Sequence, residues 1–180
     1  AASSPLAFLF TDLQDSTAMY ERIGDVTAFD LVRLHFDTLE SATRHHGGAI
    51  VKTIGDAIMA RFSEPDEAVR TALEMFERLD RFNQRSDTRL ILKVGLHRGP
   101  AIAVTSRGRD DYFGQSVNIA ARVGAIAIAG ELVLTESVFE SASVASLLEG
   151  RATRQELVTL KGVASAVSVY RVAGAGPEPA

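Results

Sequence analysis

The segment IVKTIGDAIMARF, residues 50–62, combines the pattern of a β-hairpin with two charged residues that a hairpin does not require. Two alternating runs rich in isoleucine, residues 50–54 and 57–62, flank a glycine and Asp56. Such runs around a tight glycine-containing turn predict two antiparallel strands. Lys52 and Asp56 admit two interpretations. They are either an edge charge and a turn former, or functional groups with partners elsewhere in the chain.

Composition places the chain among globular proteins with one ordinary domain. It has 180 residues, of which 46% are hydrophobic and 23% charged, and its net charge is -4. A slightly acidic chain disfavours binding to nucleic acid, because phosphate binding requires a basic face. The absence of cysteine excludes disulfides, thiolate catalysis and zinc sites built from thiolates.

The sequence also predicts where the chain works. No apolar run approaches the ~20 residues of a membrane span. The start AASSPLAFLF lacks the basic region and the long apolar core of a signal peptide. We therefore expect a cytoplasmic domain without membrane contact. Because the chain does not begin with methionine, we also expect a piece of a longer protein that carries regulatory domains.

The first third of the chain predicts a buried strand followed by helices. Residues 6–10 are wholly apolar, which is typical of a strand buried on both faces, and Asp12 follows this run. Ser16 and Thr17 resemble a helix start. The next helix has an apolar face at 3, 4, 3 spacing, formed by Phe29, Val32, Phe36 and Leu39.

His45 and His46 stand where this helix should end, before two glycines. The pair suggests a metal site, but adjacent residues of a helix do not share a face. Cationic side chains and glycine are common at helix C-termini, so we favour a capping role for the two histidines.

The remaining periodic segments predict further elements in chain order. After the hairpin we expect a helix with Ser63 as N-cap and a buried stripe of Val69, Ala72, Phe76 and Leu79. A strand follows, with Leu90, Leu92, Val94 and Leu96 on one face. The chain should then return in a strand over 101–105 and form an exposed loop over 106–111. The rest of the chain predicts a helix that begins at Gly114 or Gln115, a strand over 131–134 and a short helix over 135–140. Residues 157–160 and 167–172 should form a last hairpin.

The predicted order strand, helix, hairpin, helix, strand is βαββαβ. It indicates an α+β fold, a ferredoxin-like sandwich with helices on one face of a mainly antiparallel sheet and with extra C-terminal strands and helices. We expect one domain over residues 1–173 and a disordered tail over 174–180. In this fold Asp12 and Asp56 can lie side by side, and two such carboxylates suit a divalent cation that also binds phosphate.

A third segment, DYFGQSVNIAAR at residues 111–122, completes a pattern. Asn118 and Arg122 are four residues apart and share a helix face, although Arg122 alone would suggest a surface salt bridge. Together with FLFTD at the first strand and KTIGD at the hairpin, the segment resembles the class III nucleotidyl cyclase catalytic domain. The similarity runs from Phe8 to about Val172 and includes VGLHRGP at 94–100, GELVLTE at 130–136 and LKGV at 160–163.

The resemblance implies an adenylate cyclase, a phosphorus–oxygen lyase that forms 3′,5′-cyclic AMP and pyrophosphate from ATP. Asp12 and Asp56 match the aspartates that hold two metal ions, Mg²⁺ or Mn²⁺. Lys52 and Asp111 match the pair that selects the base. An ammonium and a carboxylate suit N1 and the amino group of adenine, whereas guanine reverses both polarities, so ATP is the expected substrate.

The resemblance also assigns the groups around the ribose and the phosphates. Asn118 matches the residue that positions the ribose, and Arg122 matches the residue that contacts the phosphates in the transition state. Lys161 matches a lysine that reaches the triphosphate, and the helix start at Ser16 and Thr17 would cradle phosphates. Members of the family act as dimers, so we expect a homodimer whose sites combine the aspartates of one chain with the other groups of its partner.

Two points stay open at the level of sequence. The family often has glycine or an aromatic residue where this chain has Asp15, whose carboxylate could face solvent, bind metal or weaken ATP binding. The alternative function is a non-catalytic cyclase-like module that binds nucleotide or regulates a partner. The presence of all six site residues argues against that module, and the absence of a GGDEF-type hairpin argues against a diguanylate cyclase.

Overall fold

The structure is a computed structural model that describes residues 4–174. Its strands are β1 (Leu6–Leu13), β2 (Ala49–Ile54), β3 (Ala57–Phe62), β4 (Leu92–Gly99), β5 (Ile102–Ser106), β6 (Arg109–Phe113), β7 (Glu131–Thr135), β8 (Thr153–Val158) and β9 (Val167–Ala173). Its helices are α1 (Ser16–Ile23), α2 (Asp25–His45), α3 (Pro65–Asn83), α4 (Gln115–Ile126), α5 (Glu136–Phe139) and α6 (Ala142–Leu147).

Seven strands form one sheet in the order β2-β3-β1-β4-β7-β9-β8. Neighbouring strands are antiparallel except β4 and β7, which run parallel. Elements β1 to β4, with the helices between them, follow the predicted βαββαβ order. The predicted α+β class with extra C-terminal strands and helices is therefore confirmed.

Strand β1 is buried on both faces, as its unbroken apolar run predicted. Ala7 and Leu9 pack with α2 and α3, whereas Phe8 and Phe10 pack on the opposite face with Tyr112. The strand is also paired on both edges, with β3 and with β4. It extends to Leu13, so Asp12 lies inside the strand and not after it.

The two long helices of the βαββαβ unit, α2 and α3, cover one face of the sheet, as predicted, and the additional helix α4 covers the other. Helix α4 packs against β1 and β4. Its backbone comes so close that a Cβ at Gly95 of β4 would overlap the backbone of Gly124. The aromatic side chains that β1 turns to this second face require such a cover, because they would otherwise be exposed to water.

Residues 99–113 fold differently from the prediction. Strand β5 does not return along β4 but pairs with β6 in a separate two-stranded ribbon. The predicted exposed loop over 106–111 is the turn of this ribbon and the first half of β6, with Arg107 and Gly108 at positive φ. Residues 102–110 are exposed, as the polar composition of this segment predicted, but the same composition gave no indication of β6.

Three local predictions need smaller corrections. Glu64, not Ser63, is the N-cap of α3, and its N–H donates to the Glu67 carboxylate at 2.9 Å. Phe29 is 55% exposed, because the buried face of α2 is centred one residue away, on Ala28 and Val32. The last hairpin begins earlier than predicted, at Thr153. Helix α6 was not predicted.

The remaining predictions concern the helix ends and the C-terminal tail. Helix α2 ends at His45, at the predicted position. Gly174, the first residue of the predicted tail, is buried and donates its N–H to the Gly130 carbonyl at 2.8 Å, while residues 175–180 lie outside the described part of the chain. Within residues 4–174, no helix combines the length and the apolarity that a bilayer crossing requires.

Candidate functional site

The end of β1 and the turn between β2 and β3 bring Asp12 and Asp56 together. The carboxylates lie within hydrogen-bonding reach of each other. A buried hydrogen bond holds the two segments in place: the Ile58 N–H donates to the Thr11 hydroxyl at 3.1 Å. This bond lies just beyond the regular pairing of β1 with β3, so it carries the hairpin tip to the end of β1.

The proximity of two carboxylates has an electrostatic cost. Burial raises the pKa of Asp12, and the negative charge of Asp56 raises it further. The Lys93 ammonium, from the residue opposite on β4, and the Leu13 N–H partly offset this effect. A divalent cation would turn the repulsion into attraction, and carboxylate oxygens are the ligands that Mg²⁺ and Mn²⁺ prefer. The donor set therefore fits the predicted metal ions.

Lys52 and Asp111 form a second pair. The Lys52 ammonium lies 3.0 Å from Oδ2 of Asp111, and it also lies 6.0 Å from the ring centre of Phe113. Partial burial alone would raise the pKa of Asp111, but the Tyr112 N–H and the Lys52 ammonium hold it below its ordinary value. The pair thus presents one cationic donor and one anionic acceptor, both partly exposed.

A β-bulge aims Lys52 at this partner. Ile50 lies opposite Ala60 in β3, but Lys52 lies opposite Met59, so the register shifts between the two β2 residues. Met59 packs on the face of the sheet that β6 and α4 cover. Without the bulge, Lys52 would share the face of Ile50, because side chains two apart in a strand point the same way.

Asn118 and Arg122 lie on the side of α4 that faces away from the sheet. The helix turns a different side to the sheet, formed by Ser116, Ala120, Val123 and Gly124. Within residues 4–174, neither the Asn118 nor the Arg122 side chain has a hydrogen-bond or ion-pair partner. Within one chain they therefore make no polar contact with Asp12, Asp56, Lys52 or Asp111 among the described residues.

The predicted phosphate-binding groups occupy two exposed places. Helix α1 begins at Ser16, as predicted, with Thr17 exposed in its first turn. Asp15 precedes it at φ 53° and ψ 35°, a left-handed conformation that aspartate tolerates better than most residues and that glycine adopts without strain. Lys161 is exposed in the loop between β8 and β9 and forms no hydrogen bond or ion pair with another described residue.

Two residues near the carboxylates were not predicted. Thr11 carries the hydrogen bond to the hairpin, and its only signal in the sequence is a polar residue after an apolar run. His35 of α2 is fully buried, and its Nδ1–H donates to the Val32 carbonyl at 3.3 Å. Burial lowers the pKa of His35, and the Val32 carbonyl and Asp56 partly counter this. The sequence feature that could have identified His35 is the presence of a histidine on the apolar face of a helix.

The whole described fold matches a known family. The model of the adenylate and guanylate cyclase catalytic domain matches residues 2–174. The chain belongs to this family. It is thus a nucleotide cyclase domain, and the predicted class III resemblance is confirmed.

Relatives and solved structures agree with this assignment. An adenylate cyclase of Anabaena cylindrica is 29% identical over 96% of this chain and 37% of its own length. An adenylate cyclase structure from Trypanosoma brucei has a TM-score of 0.81 at 23% identity, covering 94% of this chain and 90% of its own. The guanylate cyclase domain of RhGC from Catenaria anguillulae, in complex with GTP, has a TM-score of 0.80 at 20% identity, covering 99% and 100%.

The cyclase domain spans about a third of the length of the curated relatives: 37% of the Anabaena protein and 36% of a receptor-type adenylate cyclase of Trypanosoma brucei brucei. The two structures cited above share less than 25% identity with the chain, so they establish its fold and not its substrate.

We predict that Thr11→Val destabilises the fold and loosens the hairpin tip. The substitution keeps the shape of the side chain but leaves the buried Ile58 N–H without its acceptor, which typically costs about 1–3 kcal/mol. Urea unfolding and hydrogen exchange of the Ile58 amide measure the effect. Thr11→Ser, which retains the hydroxyl, is the matched control. Equal stability of the Val and Ser variants would contradict the assigned role.

Proposed function

We propose that this cyclase domain is an adenylate cyclase, which forms 3′,5′-cyclic AMP and pyrophosphate from ATP. The observation that carries the proposal is the 3.0 Å contact between the Lys52 ammonium and the Asp111 carboxylate. Adenine offers an acceptor at N1 and a donor at its amino group, which suit an ammonium and a carboxylate held side by side. Guanine offers the reverse polarity at both positions, so each contact would meet a like partner.

The pair supports a choice of base that the family leaves open. The proteins that resemble the chain include an adenylate cyclase and a guanylate cyclase domain in complex with GTP. Sites that read hydrogen-bonding groups can discriminate between substrates by as much as ~10⁴, because a wrong base leaves polar groups unpaired. The proposal places the domain in the cytoplasm, where ATP is available.

In the proposed reaction the ribose 3′-oxygen attacks the α-phosphorus, and the bond from that phosphorus to the pyrophosphate oxygen breaks. Asp12 and Asp56 would hold two Mg²⁺ or Mn²⁺ ions, which acidify a hydroxyl and neutralise phosphate charge when bound. Arg122 stabilises the negative charge that develops on the α-phosphate, and Asn118 orients the ribose.

The β- and γ-phosphates need further partners. The free N–H groups at the start of α1, at Ser16 and Thr17, suit an anion, because the first turn of a helix has unpaired donors and a positive dipole end. Lys161 would add a cation from the loop between β8 and β9. The Asp15 carboxylate, exposed beside this helix start, opposes a bound phosphate and lowers its affinity.

A second copy of the chain would complete each site. Asn118 and Arg122 point away from the sheet and have no polar partner within residues 4–174. In a two-fold dimer the outward face of α4 can reach the aspartates of the other chain, and the symmetry then creates two equivalent sites. We therefore propose a homodimer in which each site takes Asp12 and Asp56 from one chain and Asn118 and Arg122 from the other.

We predict that the Lys52–Asp111 pair sets the choice of base. The wild-type domain with Mn²⁺ should form cyclic AMP from ATP and much less cyclic GMP from GTP. The double variant Lys52→Glu with Asp111→Ser should lose roughly 100-fold or more in turnover of ATP, because both contacts to adenine are lost. Quantifying both cyclic nucleotides by chromatography measures this.

A matched control for this experiment is Arg81→Glu with Glu77→Ser. In this exposed pair on α3, Nη2 of Arg81 lies 3.9 Å from Oε1 of Glu77. The pair receives the same two kinds of substitution but is no part of the proposed site, so ATP turnover should stay unchanged. Unchanged ATP kinetics in the Lys52 and Asp111 variant would refute the assignment of the base-reading pair. Preferential use of GTP by the wild type would refute the proposed substrate.

We predict that Asp12→Asn or Asp56→Asn abolishes turnover without harming the fold. Each change removes an anionic metal ligand. A bound metal lowers the activation free energy by several kcal/mol, so its loss should reduce the rate roughly 10³-fold or more. The pKa of Asp12 is raised in the folded state, so its ionisation costs stability, which is lost as the pH rises from the ordinary aspartate pKa through the raised one. In EDTA at neutral pH, Asp12→Asn should therefore melt at the wild-type temperature or above it.

Steady-state assays over a Mg²⁺ titration and thermal melts in EDTA test both parts of this prediction. Asp30→Asn, an exposed carboxylate on α2, is the control that should keep full activity. Near wild-type turnover of either Asp12→Asn or Asp56→Asn would show that the metal assignment is wrong.

We predict that defects in the two halves of the shared site complement each other. Asp12→Ala and Arg122→Ala should each be almost inactive as homodimers. When they are mixed in equal amounts, about half of the dimers are mixed, each with one intact site, so roughly a quarter of wild-type activity should return. Assays of cyclic AMP over a range of protein concentrations measure the recovery.

The control mixture combines Asp12→Ala with Asp56→Ala. Both changes affect the same half of the site, so every site in a mixed dimer lacks one aspartate and no activity should return. If the mixture of Asp12→Ala with Arg122→Ala also stayed inactive, despite demonstrated mixed dimers, each site would be built within one chain.

A further inference from the structure

His45, His46 and Glu74 form a compact cluster that shares no residue with the Asp12–Asp56 pair. The Nδ1 atom of His45 lies 2.6 Å from Oε1 of Glu74, and the Nε2 atom of His46 lies 3.2 Å from the same oxygen. The three atoms all lie within 4.8 Å of one another. Within residues 4–174, this is the one group of three such side chains close enough to share a cation. We call it the His–Glu cluster.

The chain brings these side chains together where it leaves a helix. Adjacent residues inside a helix point about 100° apart, which argued against a joint role for the two histidines. His46 is the C-cap of α2, at φ −108° and ψ 21°, and its departure from helical geometry turns its ring toward that of His45. The ring centres are 4.6 Å apart, and Glu74 faces both from the middle of α3.

The ligand set has the chemistry of a zinc site with an open position. Two imidazole nitrogens and one carboxylate oxygen are the protein ligands of many zinc sites in which water is the fourth ligand. With bonds of about 2.0–2.2 Å, the ligand atoms of a tetrahedral site lie roughly 3.3–3.5 Å apart. The 3.2 Å separation of His46 from Glu74 is near this value, whereas the 2.6 Å contact of His45 with Glu74 is a hydrogen bond that a bound ion would replace, with side-chain rotations that move the two atoms apart.

The surroundings keep Glu74 ionised and oriented. Partial burial alone would raise the pKa of Glu74, but the hydrogen bonds and charges of His45 and His46 lower it below its ordinary value. Arg78 contacts the other carboxylate oxygen, Oε2, at 3.6 Å. This ion pair engages Oε2 and leaves Oε1 directed at the histidines. The His45 side chain is 68% exposed, so an ion can enter from solvent.

We propose that His45, His46 and Glu74 form a binding site for a borderline-soft divalent cation of the Zn²⁺ type. The site differs in ligand chemistry from the oxygen-only Asp12–Asp56 pair. Imidazole ligands favour Zn²⁺ and Co²⁺, whereas Mg²⁺ prefers oxygen ligands and keeps much of its hydration shell. A bound ion joins the end of α2 to α3 and fixes the point where the chain turns into β2, the strand that carries Lys52 toward Asp111.

Titration of the wild-type domain with Co²⁺ in excess Mg²⁺ tests the proposal. Mg²⁺ occupies oxygen-only sites, and four-coordinate Co²⁺ bound to imidazole absorbs visible light far more strongly than octahedral Co²⁺ bound to oxygen. We expect one strongly absorbing Co²⁺ per chain. Added Zn²⁺, which has a filled d shell, should displace it and abolish the absorption. The melting temperature should rise with Zn²⁺, because the ion binds the folded state.

Variants assign the ligands. His45→Gln, His46→Gln and Glu74→Gln should each weaken Co²⁺ binding by roughly 100-fold and remove the Zn²⁺-dependent rise in melting temperature. The double variant Asp12→Asn with Asp56→Asn should bind Co²⁺ and Zn²⁺ as the wild type does. Circular dichroism without metal establishes that each variant is folded. The three substitutions lie on different elements or at an exposed helix end, so the test survives if one variant is unfolded.

Three results would overturn the proposal. The first is the absence of a strongly absorbing Co²⁺ species in the wild type. The second is Co²⁺ binding that survives all three cluster substitutions. The third is binding that disappears in the variant of Asp12 and Asp56, because the ion would then belong to the carboxylate pair.

Discussion

Burial of β1 on both faces, with hydrogen-bonded strands on both of its edges, is the constraint on which the rest of the structure depends. Its apolar residues cannot leave either face to water, so α2 and α3 must cover one face and α4 the other. Pairing with β3 and β4 fixes the hairpin and the following strand in register. Because this buried strand carries Asp12 near its end, the rigid centre of the sheet positions the reactive edge.

The same edge holds two carboxylates that repel each other. The buried bond from the Ile58 N–H to the Thr11 hydroxyl keeps the hairpin tip beside β1, although Asp12 and Asp56 would gain by separating. Such a cost to stability is typical of functional sites, where a local rule of folding is broken and compensated elsewhere. Here the unrelieved negative charge favours a divalent cation, which is the role that the proposed function gives to this edge.

The β2–β3 hairpin lies between two groups of potential ligands with different chemistry. Carboxylate oxygens lie at its turn, and imidazole nitrogens with Glu74 lie just before its first strand. Its bulge aims Lys52 at Asp111, so one hairpin connects the Asp12–Asp56 edge, the Lys52–Asp111 pair and the His–Glu cluster. The outward groups Asn118 and Arg122 lie on α4, which belongs to the opposite layer. This separation is why the proposed reaction needs a second copy of the chain.

The sequence by itself determined the elements whose signals are local: the hairpin over residues 50–62, the buried apolar run of β1, and the buried α3 stripe of Val69, Ala72, Phe76 and Leu79. It also determined the family, because three spaced motifs carry it. Tertiary structure alone decided the face that α4 covers, the pairing of β5 with β6, the bulge that turns Lys52, and the meeting of His45 and His46 with Glu74. These features depend on contacts between segments distant in the chain, and hydrophobic periodicity reports only which side of an element is apolar, not what will lie against it.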